Sequence, residues 1–330
     1  MCKIKIVKGE GFDGLKSLLR KYKDVYMVFD RNVGSYAGEI ERLNSRKIVS
    51  SLAIETSEQE KSLGTVIKIA SWLLEQGADR GSLVLAVGGG ITTDVVGFTA
   101  SIYRRGVAYA NVPTTLMAQV DAAIGGKTGV NFESYKNMLG VIRQPVFTYI
   151  CTRTLETLDK KEFTSGVAEL LKTFIIFDAE AYERTLTALK ASYSEQLPSL
   201  IMLAAKYKSR IVRWDPYEKC RRRILNLGHT YGHAIEWYQQ KYHITDGFTH
   251  GEAVALGIIR AAKISEDKGI AKPGLTEKLI GDFTSVGLPV EYNYPEDVLK
   301  EGMKKDKKVI GGKLNIVLIK KIGKVKIRKI

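Results

Sequence analysis

Apolar residues along this chain follow two periods, and the switch between them marks its organisation. Residues 1–6 alternate as a strand does, and residues 23–30 hold the run Val25-Tyr26-Met27-Val28-Phe29 before Asp30-Arg31-Asn32, a buried strand ending in a turn. Helical spacing over 35–44, a strand over 48–54 and a helix through Glu58, Lys61 and residues 62–76 come next, with Gly77 as the stop. Leu83-Val84-Leu85-Ala86-Val87 is again strand-like, residues 91–98 are helical, and 107–112 return to strand. This β-α-β-α-β order predicts a parallel sheet with helices on both faces, because parallel neighbours need a crossover between them.

After residue 150 the period is almost entirely helical. A helix over 155–161 and another from Glu162 through Lys172 lead into helical spacing that continues to about residue 286. Only 314–319 and 324–329 alternate again, around Gly323, as a hairpin does. The pattern therefore predicts an α/β N-terminal domain with a Rossmann-like parallel sheet, residues 1–160, and a mainly α-helical C-terminal domain, residues 161–330.

The strand at Leu83 runs straight into Gly88-Gly89-Gly90 and then a helix. Backbone without Cβ atoms, free N–H groups and the positive end of a helix dipole together suit a pyrophosphate, although glycines can also serve only to shape a turn. The G-x-G-x-x-G fingerprint is not met, since Thr93 stands at its last glycine. Tyr103-Arg104-Arg105-Gly106, Pro113-Thr114-Thr115, Gln119-Val120-Asp121, Gly125-Gly126-Lys127, Asn131 and Lys136-Asn137 follow within a short span. Charged and amide side chains at the edges of glycine turns read as a site rather than a core. Asp30, at a strand end, could bond a ribose hydroxyl or cap the next turn.

All 4 histidines fall late in the chain: His229, His233, His243 and His250. His229 and His233 stand one helical turn apart on one face, and His250 opens a different helix. Two imidazoles from separate helices plus a carboxylate make a three-ligand site with open positions, the catalytic type of metal centre. H-E-x-x-H is absent because residue 230 is threonine, which disfavours a zinc protease. Spacing does not locate the carboxylate. Glu169 shares a helix face with Lys172 in an apolar stretch, which fits either a ligand or a buried ion pair. His243 reads as a satisfied core residue in a loop.

Composition adds limits. Of 330 residues, 45% are hydrophobic and 26% charged, as in a globular protein, and no apolar run approaches a membrane span. Cys2, Cys151 and Cys220 are few and scattered, which favours a reducing cytoplasm over a disulfide framework. The net charge of +15 is dispersed, with concentrations at 304–308 and 320–329. It fits a lysine-rich surface or the capture of an anionic small molecule; no nucleic-acid-binding motif accompanies it.

The segments GGGITTDVVGF, YRRG, PTTLMAQVD, GGKTGVN, KNMLG, SGVAELLK, LNLGHTYGHAIE, HGEAVALG and MKKDKK, in this order, resemble the 3-dehydroquinate synthase family of sugar-phosphate cyclases. The likeness covers nearly everything from residue 24 onward. It implies an NAD-binding first domain, a second domain holding one divalent metal (zinc or cobalt), a cleft between them as active site, and a homodimer. Carried over by motif, the metal ligands are Glu169, His229 and His250. NAD contacts are Asp30, Asn32, Glu58, Lys61, Gly89, Gly90, Asp94, Thr114, Thr115 and Thr157, with Asp121, Lys127 and Lys136 at the border with substrate. Substrate contacts are Arg105, Asp121, Lys127, Lys136, Asn137, Lys172, Lys208, Arg222, Asn226, His233 and Lys307.

The implied substrate is a keto-acid sugar phosphate, whose carboxylate and phosphate suit this many cations. Tyr135 stands where the family usually has glycine, Pro216 follows Asp215 where an acid is usual, the segment 234–249 is longer than expected, and the N-terminus is short. Two enzyme alternatives share the apparatus: an inosose- or valiolone-forming cyclase, and a metal-dependent dehydrogenase of the glycerol dehydrogenase kind. A basic nucleic-acid scaffold is the non-enzymatic alternative, and it predicts salt-dependent affinity for DNA or RNA.

Overall fold

The computed structural model describes residues 4–133, 135–191, 194–304, 309–310 and 313–329. Two compact units are present: Met1–Leu158 with Lys208–Tyr217, and Asp159–Tyr207 with Glu218–Ile330.

The first unit is built on a six-stranded parallel sheet of β1 (Ile6–Gly9), β2 (Val25–Asp30), β3 (Ile48–Ile54), β4 (Leu83–Gly88), β5 (Ala108–Pro113) and, after an antiparallel hairpin, β8 (Thr148–Cys151). Spatial order is β1-β8-β5-β4-β2-β3. The first strand lies at 6–9, later than the alternation at 1–6 suggested, and pairs in parallel with β8; residues 1–3 lie outside the described residues. Alternation along β2 and β4 divides the core by face. Val25, Met27, Leu83, Leu85 and Val87 pack with Leu15 and Leu19 of α1 (Leu15–Leu19) and Ile40 of α2 (Gly34–Leu43). Tyr26, Val28, Val84 and Ala86 pack with Val66, Ile69 and Leu73 of α3 (Leu63–Glu75) and Val95 and Val96 of α4 (Gly90–Ile102). Burial on both faces is why these strands read as continuous apolar runs.

The chain runs outward from β2 to β3, then returns to β4 on the other side of β2. In open parallel sheets, ligands bind beside the strand C-termini where the order reverses in this way. Asp30 ends β2 and Gly88 ends β4 at that point.

The sequence pattern did not reveal the hairpin of β6 (Lys127–Phe132) and β7 (Tyr135–Ile142), which it left as loops between glycines. Asp121 lies in a single π-helical turn, Ala118–Ala122, and the helix expected over 155–161 is a 3-10 turn, Thr152–Leu155, followed by Asp159 capping the next helix.

In the second unit α5 (Lys160–Phe177), α6 (Ala179–Lys190), the first part of α7 (Leu197–Trp214), α8 (His229–Lys241), α9 (His250–Asp267), α10 (Leu275–Ser285) and α11 (Glu296–Lys304) precede a sheet of β9 (Val309–Ile310), β10 (Lys313–Lys321) and β11 (Lys324–Lys329). The terminal hairpin turns at Gly323, φ 83°, as its alternation predicts.

Candidate active site

The histidine-bearing helices meet through glycine. A Cβ on Gly251 of α9 would overlap the backbone of Ser165 on α5, and one on Gly257 would overlap the carbonyl of Gly228, the left-handed N-cap of α8 (φ 79°). Only hydrogen at these positions lets the three helices approach this closely. Thr249 and Glu252 form a capping box that fixes the start of α9 one residue before His250. Gly251 N–H also donates to Ser165 Oγ at 3.1 Å.

Glu169 from α5, His229 from α8 and His250 from α9 consequently converge, their ligand-type atoms all within 4.8 Å of one another. The Nε2 atoms of His229 and His250 lie 3.7 and 3.6 Å from the same oxygen, Glu169 Oε1. Ligands on a tetrahedral zinc at about 2.0–2.2 Å stand roughly 3.4 Å apart, so this spacing suits one cation. The other faces of the rings fit as well. His229 Nδ1 lies 3.2 Å from the Leu227 carbonyl and His250 Nδ1 lies 3.2 Å from Glu236 Oε2. An acceptor at Nδ1 places the proton there and leaves the Nε2 lone pair toward the site. Burial alone would lower the His250 pKa, but the Glu236 charge and hydrogen bonds to Glu169 and Glu236 raise it to about 10, so a cation bound at Nε2 would take the place of a proton there. The pocket favours positive charge. One carboxylate and two oriented imidazoles therefore fit a borderline-soft divalent ion.

Glu169 is also in the buried ion pair that its spacing with Lys172 allowed. Oε2 lies 2.5 Å from Lys172 Nζ, both side chains being 1% exposed. The two alternatives hold together because one carboxylate oxygen serves each. His233 joins the group, its ring centroid 5.3 Å from that of His229 and 6.4 Å from that of His250. His243 is not a core residue: it is exposed beyond the end of α8 with φ 54°, since the chain turns there at the surface. In the 3-10 turn Arg221–Asn226, Arg222 is buried and Asn226 Nδ2 donates to Glu218 Oε1 at 2.5 Å. Lys307 lies outside the described residues.

The first unit gathers most of its candidates at the strand C-termini. Asp30 does cap its turn, Oδ1 accepting from Asn32 N–H at 2.9 Å, while Oδ2 accepts from Thr56 at 2.7 Å. Gly89 and Gly90 open α4 with no side-chain cap, leaving the helix N-terminus to its own backbone. Thr114 is buried, its N–H bonded to the Gly88 carbonyl at 3.0 Å, and Thr115 Oγ1 accepts from Ala118 N–H. Lys61 Nζ contacts Asp94 Oδ2 at 2.6 Å. Burial pushes the Asp94 carboxyl upward although Lys61 and Lys208 pull it down. Lys208, in the part of α7 that groups with this unit, contacts Asp121 Oδ1 at 2.6 Å and its carbonyl at 2.6 Å. Lys127, Lys136 and Asn137 are exposed on the β6–β7 hairpin. Tyr135 pairs there with Phe132, so a tyrosine closes the hairpin end.

Thr157, past the C-terminus of β8, donates to the Tyr36 hydroxyl at 3.3 Å. One candidate stands elsewhere: Arg105, before the start of β5, lines an open cavity of about 560 Å³ with Asp79, Arg80, Gly81 and Arg104. No other candidate lines that cavity. The residue that sequence reading missed at the metal-type cluster is Glu236. A signal existed: His229, His233 and Glu236 fall at i, i+4 and i+7 on one helix face. Nothing in the pattern marked Thr56.

Comparison with known proteins agrees across the chain. Residues 51–165 match the family model described as 3-dehydroquinate synthase N-terminal, and residues 166–309 match its C-terminal counterpart. The 3-dehydroquinate synthase of Dictyoglomus thermophilum is 36% identical over 327 residues, covering 96% of this chain and 89% of the relative. Among solved structures, 2-epi-5-epi-valiolone synthase from Streptomyces hygroscopicus subsp. jinggangensis, with NAD+ and Zn2+ bound, superposes with a TM-score of 0.90 at 26% identity, covering 100% of this chain and 93% of the other. A 2-deoxy-scyllo-inosose synthase complexed with carbaglucose-6-phosphate, NAD+ and Co2+ gives 0.88 at 27% identity, covering 98% and 93%. Two-domain dehydrogenases at 16% identity or less share the fold. Family models spanning most of the sequence, and a relative this similar over nearly its whole length, show that the chain belongs to the 3-dehydroquinate synthase family.

Proposed function

We propose that this enzyme is a 3-dehydroquinate synthase, converting 3-deoxy-D-arabino-heptulosonate 7-phosphate to 3-dehydroquinate and phosphate with NAD and one divalent cation as cofactors. The observation that carries the reading is the cluster of Glu169, His229 and His250, within 4.8 Å of one another, on a chain of this family. When bound, NAD supplies a hydride acceptor that is returned to its starting state, and the cation supplies a Lewis acid that makes a substrate hydroxyl more acidic.

The chain's own groups do the rest. Glu169, His229 and His250 would hold the cation, with Leu227 and Glu236 fixing the ring tautomers. His233, beside both rings, is positioned to take and return a hydroxyl proton at an imidazole nitrogen. Lys172, Arg222 and Lys307, with Lys127, Lys136, Lys208 and Arg105, would neutralise carboxylate and phosphate, and Asn137 and Asn226 would bond hydroxyls. Asp30, Asn32, Glu58, Lys61, Asp94, Gly89, Gly90, Thr114, Thr115 and Thr157 would hold the dinucleotide, its pyrophosphate at the start of α4. Residues 1–160 would then be the NAD-binding part and 161–330 the metal- and substrate-binding part. Few cysteines and the family likeness support a cytoplasmic homodimer; no helix among the described residues is long and apolar enough to cross a membrane.

The test is incubation with the keto-acid phosphate, NAD and zinc, following phosphate release and the near-ultraviolet absorbance of NADH. Stoichiometric phosphate without NADH build-up is expected. Accumulating NADH would indicate a dehydrogenase, and turnover of a neutral sugar phosphate instead would indicate an inosose- or valiolone-forming cyclase.

A further inference from the structure

The β6–β7 hairpin departs from a regular ladder at one place. Val130 pairs with Leu139 and Phe132 with Tyr135, so Asn131 alone stands opposite Lys136, Asn137 and Met138. The bulge lifts Lys136 and Asn137 out of the ladder and frees the backbone of Asn131 from it. Asn131 N–H donates to the Lys61 carbonyl at 2.8 Å. Its Nδ2 donates to Glu58 Oε1 at 2.8 Å and to the Glu58 carbonyl at 3.3 Å. Its Oδ1 accepts the Asn137 N–H at 2.9 Å. Asn137 has φ 52°, a left-handed conformation that asparagine adopts more readily than other non-glycine residues.

We propose that Asn131 is a positioning residue that couples the loop bearing Glu58 and Lys61 to the loop bearing Lys136 and Asn137. This rests on the assignment of the first loop to the dinucleotide and the second to the substrate. One amide then sets both loops: its donor side orients the Glu58 carboxylate, and its acceptor side orients the Asn137 backbone. A dinucleotide that orders Glu58 and Lys61 thereby orders the substrate loop before substrate arrives. The two bindings are linked, and the linkage is reciprocal.

Two variants separate the two sides of the amide. Asn131→Ala removes both, and is expected to raise the NAD Kd and the KM for the keto-acid phosphate by about tenfold each. Asn131→Asp keeps an acceptor for Asn137 N–H but sets a carboxylate beside Glu58. It is expected to weaken NAD binding, measured by calorimetry, while changing KM at saturating NAD by less than about threefold.

A readout independent of turnover is hydrogen exchange at residues 135–138 of the full-length protein, with and without NAD. In the parent protein NAD is expected to slow exchange there, and in Asn131→Ala the slowing should disappear. Equal NAD protection in both proteins would overturn the proposal. So would exchange that rises evenly over the whole first unit, since Asn131 would then be merely structural. A parent protein that shows the NAD-dependent protection yet does not turn over the keto-acid phosphate would refute the proposed reaction and leave the coupling standing.

Discussion

His250 Nδ1 lies 3.2 Å from Glu236 Oε2, while Nε2 of the same ring lies 3.6 Å from Glu169 Oε1. The imidazole is thus held between two carboxylates, one fixing the proton and the other completing the face that would receive a cation. Glu236 comes from the same helix as His229, so a single helix would supply one ligand and orient another.

Removing that orienting contact should be read in metal affinity. Glu236→Gln keeps the size of the side chain but removes its charge, and outer-shell changes of this kind lower affinity by about 10–100-fold. Titration of the metal-free protein against a chromophoric zinc chelator measures it. Unchanged affinity would leave Glu236 without a part in the site.

Lys172 and Glu169 give a second prediction. Lys172→Met leaves the Glu169 carboxylate without its 2.5 Å ammonium in a site where both residues are 1% exposed. Breaking a buried pair costs roughly 3–5 kcal/mol. Zinc should offset part of this by binding the same carboxylate, so the zinc-induced rise in Tm should be larger in Lys172→Met than in the parent. Differential scanning calorimetry with zinc and with chelator decides it.

Gly251 carries the approach of α9 to α5. A methyl group there meets Ser165 backbone, which cannot move as a flexible side chain would. Gly251→Ala should therefore displace His250 relative to Glu169, lowering both Tm and zinc affinity, with overpacking of this kind costing about 1–3 kcal/mol. Gly269, whose added Cβ would meet nothing within 4 Å, is the control for a lost glycine, although its φ of 62° adds its own strain.

A pH prediction comes from Glu266, which accepts from Thr276 Oγ1 at 2.6 Å and from the N–H groups of Leu275 and Thr276 at 2.7 and 3.2 Å at the start of α10. The Thr276 hydroxyl bond, with the backbone donors, holds its carboxyl below the ordinary glutamate value of 4.5 despite some desolvation. Because the folded pKa lies below the unfolded one, its stabilisation is fully present above the unfolded value of 4.5 and is lost as pH falls through the folded value. Glu266→Gln should lower Tm at neutral pH, and the gap to the parent should close on acidification. A gap that stays constant would exclude the carboxylate charge as the cause.

The sequence by itself determined the elements whose period is set locally. The strands at 25–30 and 83–88 are buried on both faces and so appear as unbroken apolar runs; the helix over 63–75 is announced by its apolar spacing and the Gly77 stop. Family motifs then pointed to Glu169, His229 and His250. What the period could not give was the β6–β7 hairpin, because only Leu139 and Val141 of its outer strand pack on the core, too few to impose alternation, while Tyr135, Met138 and Ile142 are in solvent. Nor could it give partners separated along the chain. Glu169 serving Lys172 with one oxygen and two imidazoles with the other, Glu236 orienting His250, and Asn131 joining Glu58 to Asn137 are each decided where glycines and a bulge let backbones meet. Those meetings depend on packing between elements, which no local pattern of residues encodes.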